Sequence, residues 1–219
     1  MNKTIPLAQR IKKESHRKLS LLHDLLLSEV YRVFPRAVFH GGTAIWRCYG
    51  GKRFSEDLDF YLTKDLGSIE FFFAQLEKRG FLVRKKRILE RSIYSELEYQ
   101  RTVVRFEAVF LEKKGHLVDY ENVDGTYTSV YSLTAEEFLL EKILTYTKRR
   151  KVRDLYDIYF LTSLVSPSLE ISQKMKEFFE CYEKPLDEQD LKTLLFEGIV
   201  PKAEEMLEYL KRKWQNKSM

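Results

Sequence analysis

The chain has 219 residues, 44% hydrophobic and 32% charged, which excludes a disordered or fibrous polypeptide. Two cysteines, Cys48 and Cys181, supply neither a disulfide framework nor a Cys/His metal cluster. No apolar run approaches the roughly 20 residues of a membrane span, and the N-terminus lacks the apolar centre of a signal peptide, so a soluble cytoplasmic protein with no membrane partner is expected. The net charge of +5 is uneven: residues 1–53 hold 11 Lys and Arg against 3 Asp and Glu. Further basic runs lie at 84–87 and 148–153; on one face they would suit a phosphate-bearing partner, and apart they are solvated surface.

In chain order, Leu19, Leu22, Leu26, Val30 and Val33 recur every three or four residues, which predicts an amphipathic helix over 16–34. A short apolar segment, AVFH, runs into Gly41 and Gly42, and TAIWRCYG then reads as a brief helix stopped by Gly50 and Gly51. DLDFYL alternates as a strand. Ser68 is expected to cap a helix that Gly80 stops. FLVRKKRILE, SIYSELEY, RTVVRFEAVFL and HLVDYENV follow as strand-like runs. From Thr134 onward five segments have helical periodicity, the last beginning at Pro201. The expected class is therefore α+β, with a mixed sheet flanked by helices in residues 1–132 and a helical bundle in residues 133–219.

The informative stretch is HGGTAIWRCYGGKRFSEDLDFYL, His40 to Leu62. Residues two apart on a strand share a face, so Asp57 and Asp59 project side by side while Leu58 and Phe60 enter the core. Adjacent carboxylates repel, and hard oxygen ligands at that separation suit one or two Mg²⁺ ions; an edge strand facing water is the plainer alternative. The Gly-Gly turn opening a helix offers backbone N–H groups to a phosphate. Glu107, on the polar side of RTVVRFEAVF with Arg105, is the best third carboxylate, with a cross-strand ion pair as its alternative; Asp119 and Glu121 are weaker candidates.

GGTAIWRCYGGKRFSEDLDF resembles the first motif of the minimal nucleotidyltransferases of the polymerase-β superfamily, in particular the AbiEii/AbiGii toxin family of type IV toxin–antitoxin systems. Arg53, Ser55, Asp57 and Asp59 match its Arg-x-Ser and Asp-x-Asp, and Thr43 stands where a serine is common. The stretch from Leu133 to Leu161 looks like the later motifs, with Lys142, Arg149 or Arg150, Arg153, Asp154 and Asp157 in the corresponding places. On a helix, Lys142 falls in or beside the buried stripe and wants an anion, either triphosphate oxygens or Asp157. Asp157 lies among apolar residues and must pair, with Arg153, Lys142 or another arginine.

The resemblance implies a nucleotidyltransferase core followed by helices, acting as an Mg²⁺-dependent enzyme that moves a nucleoside monophosphate from an NTP to a hydroxyl. The acceptor would be RNA, possibly tRNA, or a protein, and a cognate antitoxin would be a partner. Asp57, Asp59 and Glu107 would hold two Mg²⁺ ions, with Glu107 alternatively taking the acceptor proton. Gly41, Gly42 and Thr43 would cradle the triphosphate, Arg53 and Ser55 would serve the nucleotide site, Lys142 and Arg149 would neutralise phosphate charge, and Asp157 would brace those cations. The competing expectation is a non-catalytic binding module of the same fold, an antitoxin or RNA-binding protein; a glycosyltransferase, which also uses Asp-x-Asp, needs a longer nucleotide-sugar domain than this chain provides.

Overall fold

The structure is a computed structural model that describes residues 5–215. Its contacts divide the chain into two units, one of Met1–Gly50 with Phe54–Leu133 and one of Gly51–Arg53 with Thr134–Met219.

The first unit opens with α1 (Leu7–Arg10), a short helix that the sequence reading missed, and the amphipathic α2 (Glu14–Val33). Leu19, Leu22, Leu26 and Val30 of α2 are buried, as the periodicity requires, and Val33 is half-buried. Then come β1 (Val38–His40), α3 (Gly41–Tyr49), β2 (Asp57–Leu62), α4 (Leu66–Lys78), β3 (Leu82–Ile88), β4 (Ser92–Tyr99), β5 (Thr102–Phe110), β6 (His116–Glu121) and β7 (Tyr127–Ser132). Helix α3 ends on Gly50, which adopts the left-handed conformation at φ 74°. The α4 cap is Asp65 rather than Ser68: the Asp65 carboxylate accepts from the Gly67 N–H, and Ser68 lies inside the helix and donates its hydroxyl to Asp65.

The seven strands form one mixed sheet in the order β3-β4-β5-β2-β1-β7-β6. Strand β2 runs parallel to β5, and β1 parallel to β7; the remaining neighbours are antiparallel. Strand β7 was not expected from the sequence. One face of the sheet carries an aromatic core: Phe60 meets Phe39 at 5.0 Å and Phe106 at 5.8 Å between ring centroids, and Phe106 meets Phe72 of α4 at 5.1 Å. Alternation therefore sends the polar residues of β2 and β5 to the opposite face.

The second unit is helical: α5 (Ala135–Arg149), α6 (Val152–Thr162), α7 (Leu169–Glu180), α8 (Leu191–Leu194) and α9 (Ala203–Gln215). A reciprocal capping box between Thr134 and Glu137 starts α5. Phe138, Leu139, Leu155, Ile158, Met175, Phe178, Met206 and Leu210 fill its core. The expected helix around residues 187–198 is smaller than anticipated, a 3-10 turn at Glu188–Asp190 leading into the four-residue α8, and α9 begins two residues after Pro201. The tripeptide Gly51–Arg53, which the sequence reading kept with the sheet, belongs to this unit: Arg53 bridges Leu195, and the Phe196 N–H donates to the Lys52 carbonyl at 3.3 Å.

Candidate active site

In the first unit, β2 places Asp57 and Asp59 on the polar face, both half-buried, with Leu58 and Phe60 fully buried behind them. The parallel register pairs Asp57 with Arg105 and Asp59 with Glu107, so the three carboxylates and one guanidinium lie on adjacent strands and the same face. Arg105 meets Asp57 rather than Glu107: its Nε lies 2.6 Å from Asp57 Oδ1. Burial, and next the Asp57 charge, push the Glu107 carboxyl above the usual carboxylate range, against the lowering pull of Arg105. A group so placed is better able to take a proton.

The start of β2 is held from two sides. The Thr43 hydroxyl, expected to cradle a phosphate, is instead fully buried and donates to the Asp57 carbonyl at 2.5 Å. One residue earlier, His23 of α2 donates its Nε2–H to the Glu56 carbonyl at 3.0 Å. Burial pushes the His23 imidazole down to about 3, so it is neutral at physiological pH. Neither the His23 contact nor the Arg105 pairing was anticipated, because each depends on residues far apart in the chain.

The glycine turn is tied to the acids by close approach. Gly41 adopts φ 79°, and a Cβ built on it would lie 2.1 Å from Asp59 Oδ2, so the Asp59 carboxylate lies directly on the start of α3. His40, at the helix N-cap, offers no side-chain cap to the first-turn N–H groups, and its ring stacks on Tyr61 at 3.9 Å between centroids. Ser55, just ahead of β2, is half-buried and makes no side-chain hydrogen bond among the described residues.

The donor set of Asp57, Asp59 and Glu107 is all hard oxygen and fits Mg²⁺ chemistry. Among the described residues no three such side chains converge closely enough to hold an ion as they stand, and Arg105 supplies the counter-charge at Asp57. The weaker candidates do not join this group: Asp119 and Glu121 are on β6, separated from β2 by β1 and β7, and Glu121 pairs with Arg10. Three strand spacings amount to about 14 Å.

The second unit holds a buried ion cluster. Asp157 of α6 accepts two bonds from Arg53, Nε to Oδ1 at 3.0 Å and Nη2 to Oδ2 at 2.8 Å. Lys142 of α5 reaches the same carboxylate at 2.7 Å and Asp154 Oδ1 at 3.4 Å. Arg149 forks onto Asp154 at 2.7 and 2.8 Å. Burial works against the Asp157 charge, but Arg53 and Lys142 outweigh it and hold the carboxyl below its ordinary range. Asp157 thus braces Lys142 and Arg53, not Arg153, and Asp154 takes Arg149, while Arg150 turns to Glu183 and the Lys184 carbonyl. Within the basic runs, Arg84, Lys85 and Lys86 pair with Glu98, Glu96 and Glu70, and Lys151 pairs with Asp187, so much of this charge is neutralised locally.

Residues 25–216 match the family described as Nucleotidyl transferase AbiEii toxin, Type IV TA system. Among solved structures, the chain is similar to JHP933 from Helicobacter pylori, with a TM-score of 0.63 and 18% identity over 90% of each chain. It is also similar to MenT4, a nucleotidyltransferase toxin from Mycobacterium tuberculosis H37Rv, with a TM-score of 0.63 and 19% identity over 94% of this chain and 85% of that one. A putative nucleotidyltransferase from H. pylori gives a TM-score of 0.62 at 19% identity, covering 90% of this chain and 93% of its own. At such identities these likenesses concern the fold. No curated protein matches the chain.

Proposed function

Because the chain belongs to the AbiEii nucleotidyltransferase toxin family, we propose that Asp57, Asp59 and Glu107 form the catalytic centre of an Mg²⁺-dependent transfer of a nucleoside monophosphate from an NTP to a hydroxyl of RNA. The observation that carries this reading is the parallel register of β2 and β5, which sets Asp59 beside Glu107 and Asp57 one step away on the same face. In the reaction the acceptor oxygen bonds to the α-phosphorus, the bond from that phosphorus to the bridging oxygen breaks, and pyrophosphate leaves. The hydroxyl proton passes to a base, and Glu107, with its raised pKa, is suited to receive it.

Asp57 and Asp59 would hold the divalent metal, with Glu107 as the further oxygen ligand if it does not act as base. The chemistry a bound Mg²⁺ supplies is neutralisation of phosphate charge and polarisation of the reacting oxygens. The first-turn N–H groups of α3, after Gly41 and Gly42, are the donors for triphosphate oxygens, while Thr43 acts by fixing the Asp57 carbonyl. Within the helical unit, Lys142 and Arg149 are proposed as phosphate-neutralising cations, oriented by Asp157 and Asp154; Arg53 takes part through Asp157. Membership of a toxin–antitoxin family supports a cognate antitoxin as partner.

The deciding experiment incubates the protein with each labelled NTP, Mg²⁺ and total cellular RNA. Label should appear in RNA with wild type and fall by at least about a hundredfold with Asp57→Ala or Asp59→Ala, in line with the size of single electrostatic contributions to catalysis. Equal labelling by the variants rejects the assignment, and label found only in protein rejects the acceptor.

A further inference from the structure

On the polar face of the sheet, beyond the acids, lies a groove of about 490 Å³ lined by Arg36, Tyr61, Leu111, Lys114, Gly115 and Tyr131 among others. It shares strand β2 with the acids, which do not themselves line it. Tyr61 follows Asp59 by two residues on β2 and so shares its face, about 7 Å further along. The loop 111–115 that supplies Lys114 is clamped at both ends. The Leu111 N–H donates to the Leu62 carbonyl at 3.0 Å, and a Cβ on Gly115 would come within 2.8 Å of Tyr131 and 2.9 Å of Val38.

The charges here differ from those of the basic runs. Arg36 and Lys114 are exposed and make no ion pair among the described residues, whereas three cations of β3, at the opposite edge of the sheet, are paired with glutamates. The exposed Arg36 and Lys114, beside the ring of Tyr131 and that of Tyr61, one face of which His40 covers, supply the two contacts that a single-stranded polynucleotide needs: charge for phosphates and flat rings for bases. We propose that this groove binds the single-stranded RNA acceptor, with the hydroxyl to be modified lying at Asp57 and Asp59 and the adjoining nucleotides running over Tyr61 toward Arg36 and Lys114. The inference rests on the transferase reading for the destination of that hydroxyl, but RNA binding by the groove is measured independently.

The test uses the full chain and a fluorescein-labelled single-stranded oligoadenylate, with affinity read by fluorescence anisotropy across a salt series. Losing two phosphate contacts in Arg36→Gln/Lys114→Gln should flatten the slope of log affinity against log salt by about 1.4 and weaken binding about tenfold at low salt. The charge-reversed Arg36→Glu/Lys114→Glu should bind more weakly still. A control of equal charge loss, Lys192→Gln/Lys211→Gln, should leave the slope near that of wild type. Absence of oligoadenylate binding by wild type, an unaltered slope in both groove variants, or an equal shift in the control would each overturn the proposal. Asp57→Ala separates the two readings: transfer that survives it sinks the transferase assignment, while its anisotropy curve still reports on the groove. A wild-type protein that labels a polypeptide and ignores the oligonucleotide also overturns the groove assignment.

Discussion

At the scale of single residues, the acidic centre is governed by what stands beside each carboxylate. Arg105 and a divalent ion compete for Asp57, because the guanidinium Nε lies 2.6 Å from the oxygen that would ligate the metal. Removing the guanidinium takes away that competitor and leaves the carboxylate repulsion to be relieved by the ion, so metal binding should tighten. In Arg105→Ala, the Mn²⁺ dissociation constant, measured by calorimetry without nucleotide, should fall severalfold; an unchanged or larger value would show that Arg105 does not oppose the metal. Asp57 and Asp59 were legible in the sequence because period-two alternation needs only neighbouring residues. A cross-strand ion pair entered the sequence reading only as the alternative for Glu107, and the Arg105–Asp57 pair was not foreseen because it depends on a parallel register between strands separated by α4, β3 and β4, which no local pattern encodes.

At the scale of elements, the strand carrying the acids is pinned by two helices, through Thr43 of α3 and His23 of α2. The His23 contact makes the pin sensitive to acid. Its imidazole titrates near 6.5 when unfolded and at about 3 when folded, so the folded state favours the neutral ring. The stabilisation is present above pH 6.5 and is lost as pH falls toward 3, at up to about 1.4 kcal/mol per pH unit. His23→Gln, which keeps a donor without a titrating ring, should be less stable than wild type at pH 7.5, and the gap in Tm should narrow by pH 5; a constant gap would exclude His23 as the sensitive group. Elements with strong periodicity, such as α2, α5 and β2, were readable. The missed β7 is mostly exposed and offers little alternation, and the β4–β5 turn places Gln100 and Arg101 at φ 48° and 64° without a glycine to announce it.

At the scale of the whole molecule, the later motif residues form a brace of the helical unit, in which two carboxylates hold three cations. Cutting a partner from a buried pair costs about 3–5 kcal/mol because the surviving charge is stranded. Asp157→Ala leaves Arg53 without its fork and should lower the urea midpoint accordingly, whereas Arg150→Ala, at an exposed pair with Glu183, should shift it by about 1 kcal/mol or less. Similar midpoints for the two variants would mean that the brace contributes little. The need for Asp157 to pair was evident from its apolar surroundings, but its guanidinium partner was not, because Arg53 lies 104 positions upstream.

That ownership of Gly51–Arg53 by the helical unit, inside a stretch otherwise belonging to the sheet, governs how the chain can be dissected. A fragment ending at residue 133 would retain a guanidinium deprived of its carboxylate, and its complement would retain the carboxylate deprived of the guanidinium. The gene therefore has no clean seam there: neither half is a transferable cassette, and grafting either onto a foreign partner would require re-creating the missing half of one ion pair.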